Sequence, residues 1–88
     1  MPERRDAFLK LVEAERVRQV SLPGSEYDIR NNPNDWVAIA SHYLTEEVRR
    51  GGVIPDADAY AASLVKAAAV IAAAYEHIEI MQNRVALV

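Results

Sequence analysis

The sequence predicts an all-α fold: a three-helix subunit with a long, alanine-rich last helix, assembled with copies of itself into a bundle. Three observations carry this. Three segments with apolar residues at helical spacing account for nearly the whole chain. Two loops dense in turn formers separate them. Hydrophobic residues make up 51% of the chain but aromatics only 7%, and alanine supplies much of the difference, favouring close helix contacts over a core of large side chains.

Residues 1–88 suffice for one domain. A core this small stabilises only marginally unless the helices pack very well or the chain self-associates.

The first helix spans about 3–20, with Pro2 at a position that suits a helix start. Its apolar residues Phe8, Leu9, Leu11, Val12, Val17 and Val20 wrap broadly, so the buried face is not defined. Loop 21–33, SLPGSEYDIRNNP, is long for so short a protein and either serves function or simply tethers two helices.

The second helix spans about 35–50. Asn34 follows Pro33 as its N-cap, and Asp35 complements the dipole. Trp36, Ile39, Ala40, Tyr43, Leu44 and Val48 form the expected buried stripe. Arg49 and Arg50 complement the C-terminal partial charge before Gly51 and Gly52 end the helix.

The third helix follows Pro55, capped by Asp56, and spans about 56–83, roughly 40 Å of helix. Tyr60, Leu64, Ala67, Ile71, Tyr75 and Ile78 share one face, with Ala62, Ala69, Ala73 and Ile80 roughly opposite. A helix apolar on two faces needs neighbours on both, and a second chain is the natural supplier. The apolar tail from Val85 to Val88 is expected to dock on the domain or on a sister subunit.

Net charge is −3 and the pI about 5.3, which argues against duplex nucleic acid as a partner. A small anionic ligand held by a few local cations remains open. Absence of cysteine excludes disulfides and thiolate metal sites. The N-terminus lacks a signal-peptide core, and the longest charge-free run, from Ala67 to Tyr75, is too short to span a bilayer. The expectation is a soluble, cytoplasmic protein without membrane contact.

Among the acids, Glu46 and Glu47 are adjacent on helix two and diverge by about 100°, whereas Glu76 and Glu79 share a face at i, i+3. Glu46, Glu76 and Glu79 could hold magnesium across two helices, or all could be solvated surface charges. His42 and His77 lie on different helices without the further ligands zinc needs. Nothing supports a serine nucleophile or a glycine-rich phosphate loop, so no catalytic residue is assigned.

The basic residues are more suggestive. Lys66, His77 and Arg84 fall in one narrow band of helix three, away from Asp58, Glu76 and Glu79. Such a strip could meet phosphates or pair with a neighbouring subunit's acids. Arg16, Arg18 and Arg30, near the long loop, offer a second phosphate clamp. Tyr27, Trp36 or Tyr43 would then stack on a base, unless Trp36 is simply the largest core side chain.

Ala14-Glu15-Arg16-Val17-Arg18-Gln19 resembles the opening of phage-encoded relatives of the all-α, MazG-like nucleotide pyrophosphohydrolases. Asp35-Trp36-Val37-Ala38-Ile39 resembles the start of their metal helix. Residues 64–70, followed by Tyr75-Glu76, are similar to their later alanine-rich helix ending in an acid. Order and rough spacing hold over most of the chain. In that family, acids on the metal helix hold magnesium, which bridges the triphosphate and activates water. This chain carries His42 and Tyr43 where the paired glutamates would stand, and only Glu46 falls where the next acid should be. Imidazole and phenol in those places remove most of the charge a hard cation requires. The size and helical pattern are also similar to small oligomeric phage proteins that sequester cyclic-nucleotide alarm signals, the anti-CBASS type.

Three readings follow. The first is a phage-type protein that binds a nucleotide or cyclic nucleotide without turnover and without a cofactor, with an anti-defence role in the host cytoplasm. Its contacts would be Arg16, Arg18, Arg30, Lys66 and Arg84, with Tyr27, Trp36 or Tyr43 on the base. The second is a divergent magnesium-dependent pyrophosphohydrolase using Glu46, Glu47, Glu76 and Glu79. The third is a helical inhibitor of a host protein with no small-molecule ligand.

Overall fold

A computed structural model of the chain describes residues 2–48, 52 and 56–86. Those residues form only helices and turns: α1 (Pro2–Val20), a 3-10 segment (Ser25–Arg30), α2 (Pro33–Thr45), α3 (Ala57–Glu76) and α4 (Ile78–Ala86). The all-α expectation holds. The helix count does not, because loop 21–33 contains a 3-10 segment and the long last helix breaks at His77.

The cap of α2 falls two residues earlier than expected. Asn32, not Asn34, is the N-cap, and Pro33 takes the first helical position, where its missing N–H costs nothing. The Asn32 Oδ1 accepts from the Asp35 amide at 2.9 Å, and the Asp35 carboxylate accepts from the Asn32 amide at 2.9 Å. Two orphan donors are thus satisfied reciprocally. The helix also stops early, at Thr45 rather than near residue 50. The Thr45 hydroxyl bonds back to the Ser41 carbonyl at 2.9 Å, a local alternative to further helical bonding. Arg49, Arg50 and Gly51 lie outside the described residues. Gly52 has φ +74°, in the left-handed region.

Helix α3 is the centre of the fold, with both α1 and α2 packed on it. As expected, Asp56 caps it, accepting from the amides of Asp58 and Ala59 at 3.0 and 3.1 Å. Its buried residues are small: Ser63, Ala67, Ala69, Val70 and Ala73. Their lack of bulk lets the neighbouring helices approach closely. Helix α2 runs antiparallel to α3, its start beside His77 and its end beside Ser63. Trp36 and Ala40 of α2 meet Val70 and Ala73 in the core, with Tyr43, Ala74 and Met81 partly buried around them. The expected stripe on α2 is therefore correct at Trp36, Ala40 and Tyr43. Ile39, Leu44 and Val48 remain exposed in the single chain.

Helix α1 has no buried residue at all. Val12, Glu15, Arg16 and Gln19 are half-buried, while Leu9, Leu11, Val17 and Val20 are exposed. By length and composition α3 would serve as a membrane span, which the charge-free run did not anticipate. A core helix flanked by α1 and α2 has the same composition.

The break at His77 has a local signature. Its amide donates to the carbonyls of Ala73 and Ala74 at 3.1 and 3.2 Å, and its Nδ1 lies 2.7 Å from the Ala73 oxygen. The imidazole shares the Ala73 carbonyl with its own amide, a crowding of the helical ladder that coincides with the break.

Candidate functional site

The turn after α1 builds one wall of a cleft. The Ser21 hydroxyl donates to the Arg18 carbonyl at 2.7 Å, and the Ser25 hydroxyl to the Val20 carbonyl at 2.6 Å. Gly24, at φ +91°, supplies the left-handed residue that lets the chain reverse. The segment from Leu22 to Ser25, with Asp28, thereby forms a rim facing Trp36, Ile39 and Tyr43 of α2. Val70 and Ala73 of α3 make the floor, and Arg18 and Gln19 close the α1 side. The cleft is open to solvent and holds about 230 Å³. Loop 21–33 is thus a wall of the cleft as well as a tether.

Trp36 is 5% exposed, and its indole N–H is buried without a hydrogen-bond partner. Unpaired buried donors are uncommon in folded proteins, and this one belongs to a cleft-lining residue. Across from it, the Arg18 guanidinium grips Glu15 through Nε at 2.8 Å and Nη2 at 2.7 Å. Gln19 donates to the same carboxylate at 3.1 Å. The Arg18 hydrogen bond holds the Glu15 carboxyl below its ordinary pKa against the opposing effect of burial. Gln19 and the positive charges of Arg18 and Lys66 add to the lowering. Glu15 in turn raises the pKa of Arg18. The Lys66 ammonium lies 5.9 Å from the centre of the Tyr43 ring, within cation–π range.

Of the eight candidate ligand contacts, the structure brings four together: Arg18, Trp36 and Tyr43 on the cleft, and Lys66 over Tyr43. Arg16 lies elsewhere. Its Nε donates to the Glu76 carboxylate at 2.9 and 3.3 Å, joining α1 to the end of α3. Arg30 sits 5.0 Å over the ring of Tyr27, and neither residue lines the cleft. The Arg84 side chain lies outside the described residues, as does part of the apolar tail. Lys66 and His77 do not form a cationic strip, because His77 turns inward at the helix break and stacks on Trp36 at 5.3 Å.

The four acids proposed for magnesium do not converge. The Glu46 carboxylate accepts from the Ser63 hydroxyl at 3.3 Å, near the start of α3, while Glu76 ends that helix. Thirteen residues of helix separate those points, about 20 Å. Glu79 lies past the break on α4, and Glu47 sits half-buried in the turn after α2. Among the described residues, no group of three or more His, Asp or Glu side chains is placed to hold a metal ion. His42 packs edge-on against Tyr43 with ring centres 5.4 Å apart.

Sequence reasoning missed the rim residues Ser25 and Asp28 and the part played by Gln19 and Glu15. The i, i+3 and i, i+4 spacing of Glu15 with Arg18 and Gln19 was visible and marks the pairing. The unpartnered indole N–H has no signature in sequence. No protein-family model, curated protein or solved structure matches the chain.

Proposed function

We propose that this protein binds a nucleotide or cyclic nucleotide in the cleft between the α1 turn, α2 and α3, and leaves it chemically unchanged. The observation that carries the reading is the buried, unpartnered indole N–H of Trp36 on a cleft-lining residue. Leaving such a donor unpaired costs about 1–3 kcal/mol, and a ligand acceptor would offset that cost by displacing the side chains that now cover the N–H. Tyr43 offers an aromatic face, Lys66 supplies positive charge nearby, and Arg18 would exchange its Glu15 partner for a phosphate on binding. At about 230 Å³ the cleft is smaller than a drug-sized pocket. It suits a base-sized ring, with phosphates extending outward to the cations. The resemblance to MazG-like proteins supports the same ligand class. The dispersal of Glu46, Glu76 and Glu79 supports binding over hydrolysis. In a phage-type protein, the role would be to withhold a nucleotide signal in the host cytoplasm.

The test is to incubate the protein with linear and cyclic nucleotides, with and without magnesium, then ultrafilter and chromatograph both fractions. Retention of intact nucleotide without magnesium, lost in Arg18→Ala, is the expected result. Magnesium-dependent product, or no retention of any nucleotide at millimolar concentration, contradicts the proposal.

A further inference from the structure

We infer that the uncovered face of α3 is a seam on which a second copy of this chain docks. Ala57, Ala61, Leu64, Ala68, Ile71 and Tyr75 follow one another at spacings of four, three, four, three and four residues. That is the alternation of a helix-pairing stripe. All six are exposed or half-buried in the single chain, with Ile71 55% and Tyr75 77% exposed. The stripe contains no charged residue: Asp58, Lys66 and Glu76 project from other parts of the helix.

The amount of exposed surface matches this reading. A compact monomer of 9.8 kDa exposes about 5,200 Å², whereas this chain exposes 6736 Å². The surplus, roughly 1,500 Å², is spread over all the helices, and it exceeds the ~800 Å² that each partner contributes to a standard interface, so the chain has surface to spare for one. The radius of gyration of 14.8 Å likewise exceeds the ~12 Å of a compact chain of this length.

The occupant is a second copy because the face complements itself. The stripe starts small, at Ala57 and Ala61, and ends large, at Ile71 and Tyr75, so in an antiparallel pair the large residues of one helix can enter the gaps left by the small residues of the other. A two-fold axis places the same face on both sides and closes the assembly. No charge within the stripe selects an unlike partner. This inference is independent of the nucleotide proposal, since the seam and the cleft share no residue.

The absence of cysteine allows a direct test. Ala68 lies near the middle of the seam, opposite its own copy in a parallel pair and within about one helical turn of it in an antiparallel pair. Mild oxidation of Ala68→Cys is expected to give a covalent dimer, while Ala62→Cys, off the seam, gives little. Sedimentation of the unmodified chain is expected to show a dimer. Tyr75→Lys, at a highly exposed site, should convert it to monomer with its helical circular dichroism retained. A monomeric wild type, equal cross-linking at positions 62 and 68, or a dimer unaffected by Tyr75→Lys would overturn the inference. Flotation of the wild type with phosphatidylcholine vesicles without dimer formation would also overturn it, identifying lipid as the occupant.

Discussion

The indole of Trp36 and the imidazole of His77 lie 5.3 Å apart with their planes tilted by 37°. This pair ties the start of α2 to the break between α3 and α4, and it puts a wall of the cleft beside the one irregular point of the central helix. Arg16 reaches the same end of α3 from α1 through Glu76. All three major helices are therefore tied together at the end of α3.

Trp36 should dominate stability. Trp36→Ala is expected to cost about 3–5 kcal/mol, comparable with the ~3–5 kcal/mol that a core of this size supplies. The variant should be largely unfolded by circular dichroism. Trp36→Phe keeps an aromatic ring and removes the unpaired N–H, so its unfolding free energy in urea titrations should fall much less, by under about 1.5 kcal/mol. Equal losses in the two variants would contradict this account of the site.

The Arg16–Glu76 pair joins a side chain 15% exposed to one 49% exposed, so solvent screens part of it. A double-mutant cycle with Arg16→Ala and Glu76→Gln should give a coupling of about 0.5–1 kcal/mol that weakens with added salt. A coupling near zero at low salt would mean the pair does not hold α1 in place.

Glu15 gives a pH dependence with a definite sign. Its carboxyl is held below its ordinary value by Arg18. The associated stability is fully present above the unfolded-state pKa, about 4.3, and is lost as pH falls through the depressed folded-state value. In Arg18→Ala the largest cause of the depression is gone, so the acid limb of the stability profile should flatten. Carboxyl NMR titration of Glu15 checks it directly, with an upward shift expected in the variant.

Ala69 is 0% exposed on the core helix. Ala69→Leu should cost about 1–3 kcal/mol by overpacking, whereas Ala62→Leu, at an exposed position, should change stability by less than about 0.5 kcal/mol. Comparing their thermal midpoints tests whether close approach at alanine, rather than burial of large side chains, organises this core.

Much of this fold is legible in the sequence because its signals are local. The apolar spacing gives α1 its extent, Asp56 marks the start of α3, and the alanine content foretells close helix contacts. What is not legible depends on competition between local bonds. Asn32 and Asn34 are both good caps, and Pro33 decides between them by occupying the first helical position. The back-bonds of Thr45 and His77 to carbonyls one turn earlier coincide with the ends of their helices, and apolar spacing does not report them. The candidate site is legible by half. Arg18, Trp36, Tyr43 and Lys66 fall together because α1 and α2 pack on one side of α3. Arg16 and Arg30 were plausible by proximity in sequence, but Arg16 is turned to Glu76 and Arg30 to Tyr27, both off the cleft, whereas Arg18 lines it while paired with Glu15.

Ligand binding at the cleft is the central expectation, and the chain's single tryptophan reports on it directly. Trp36 fluorescence should be titrated with linear and cyclic nucleotides, without magnesium, in the wild type and in Arg18→Ala. A saturable change is expected with at least one nucleotide, weakened about tenfold or more in Arg18→Ala by loss of a charged hydrogen bond. A fluorescence signal that no nucleotide alters, or a binding curve identical in the two proteins, would contradict it.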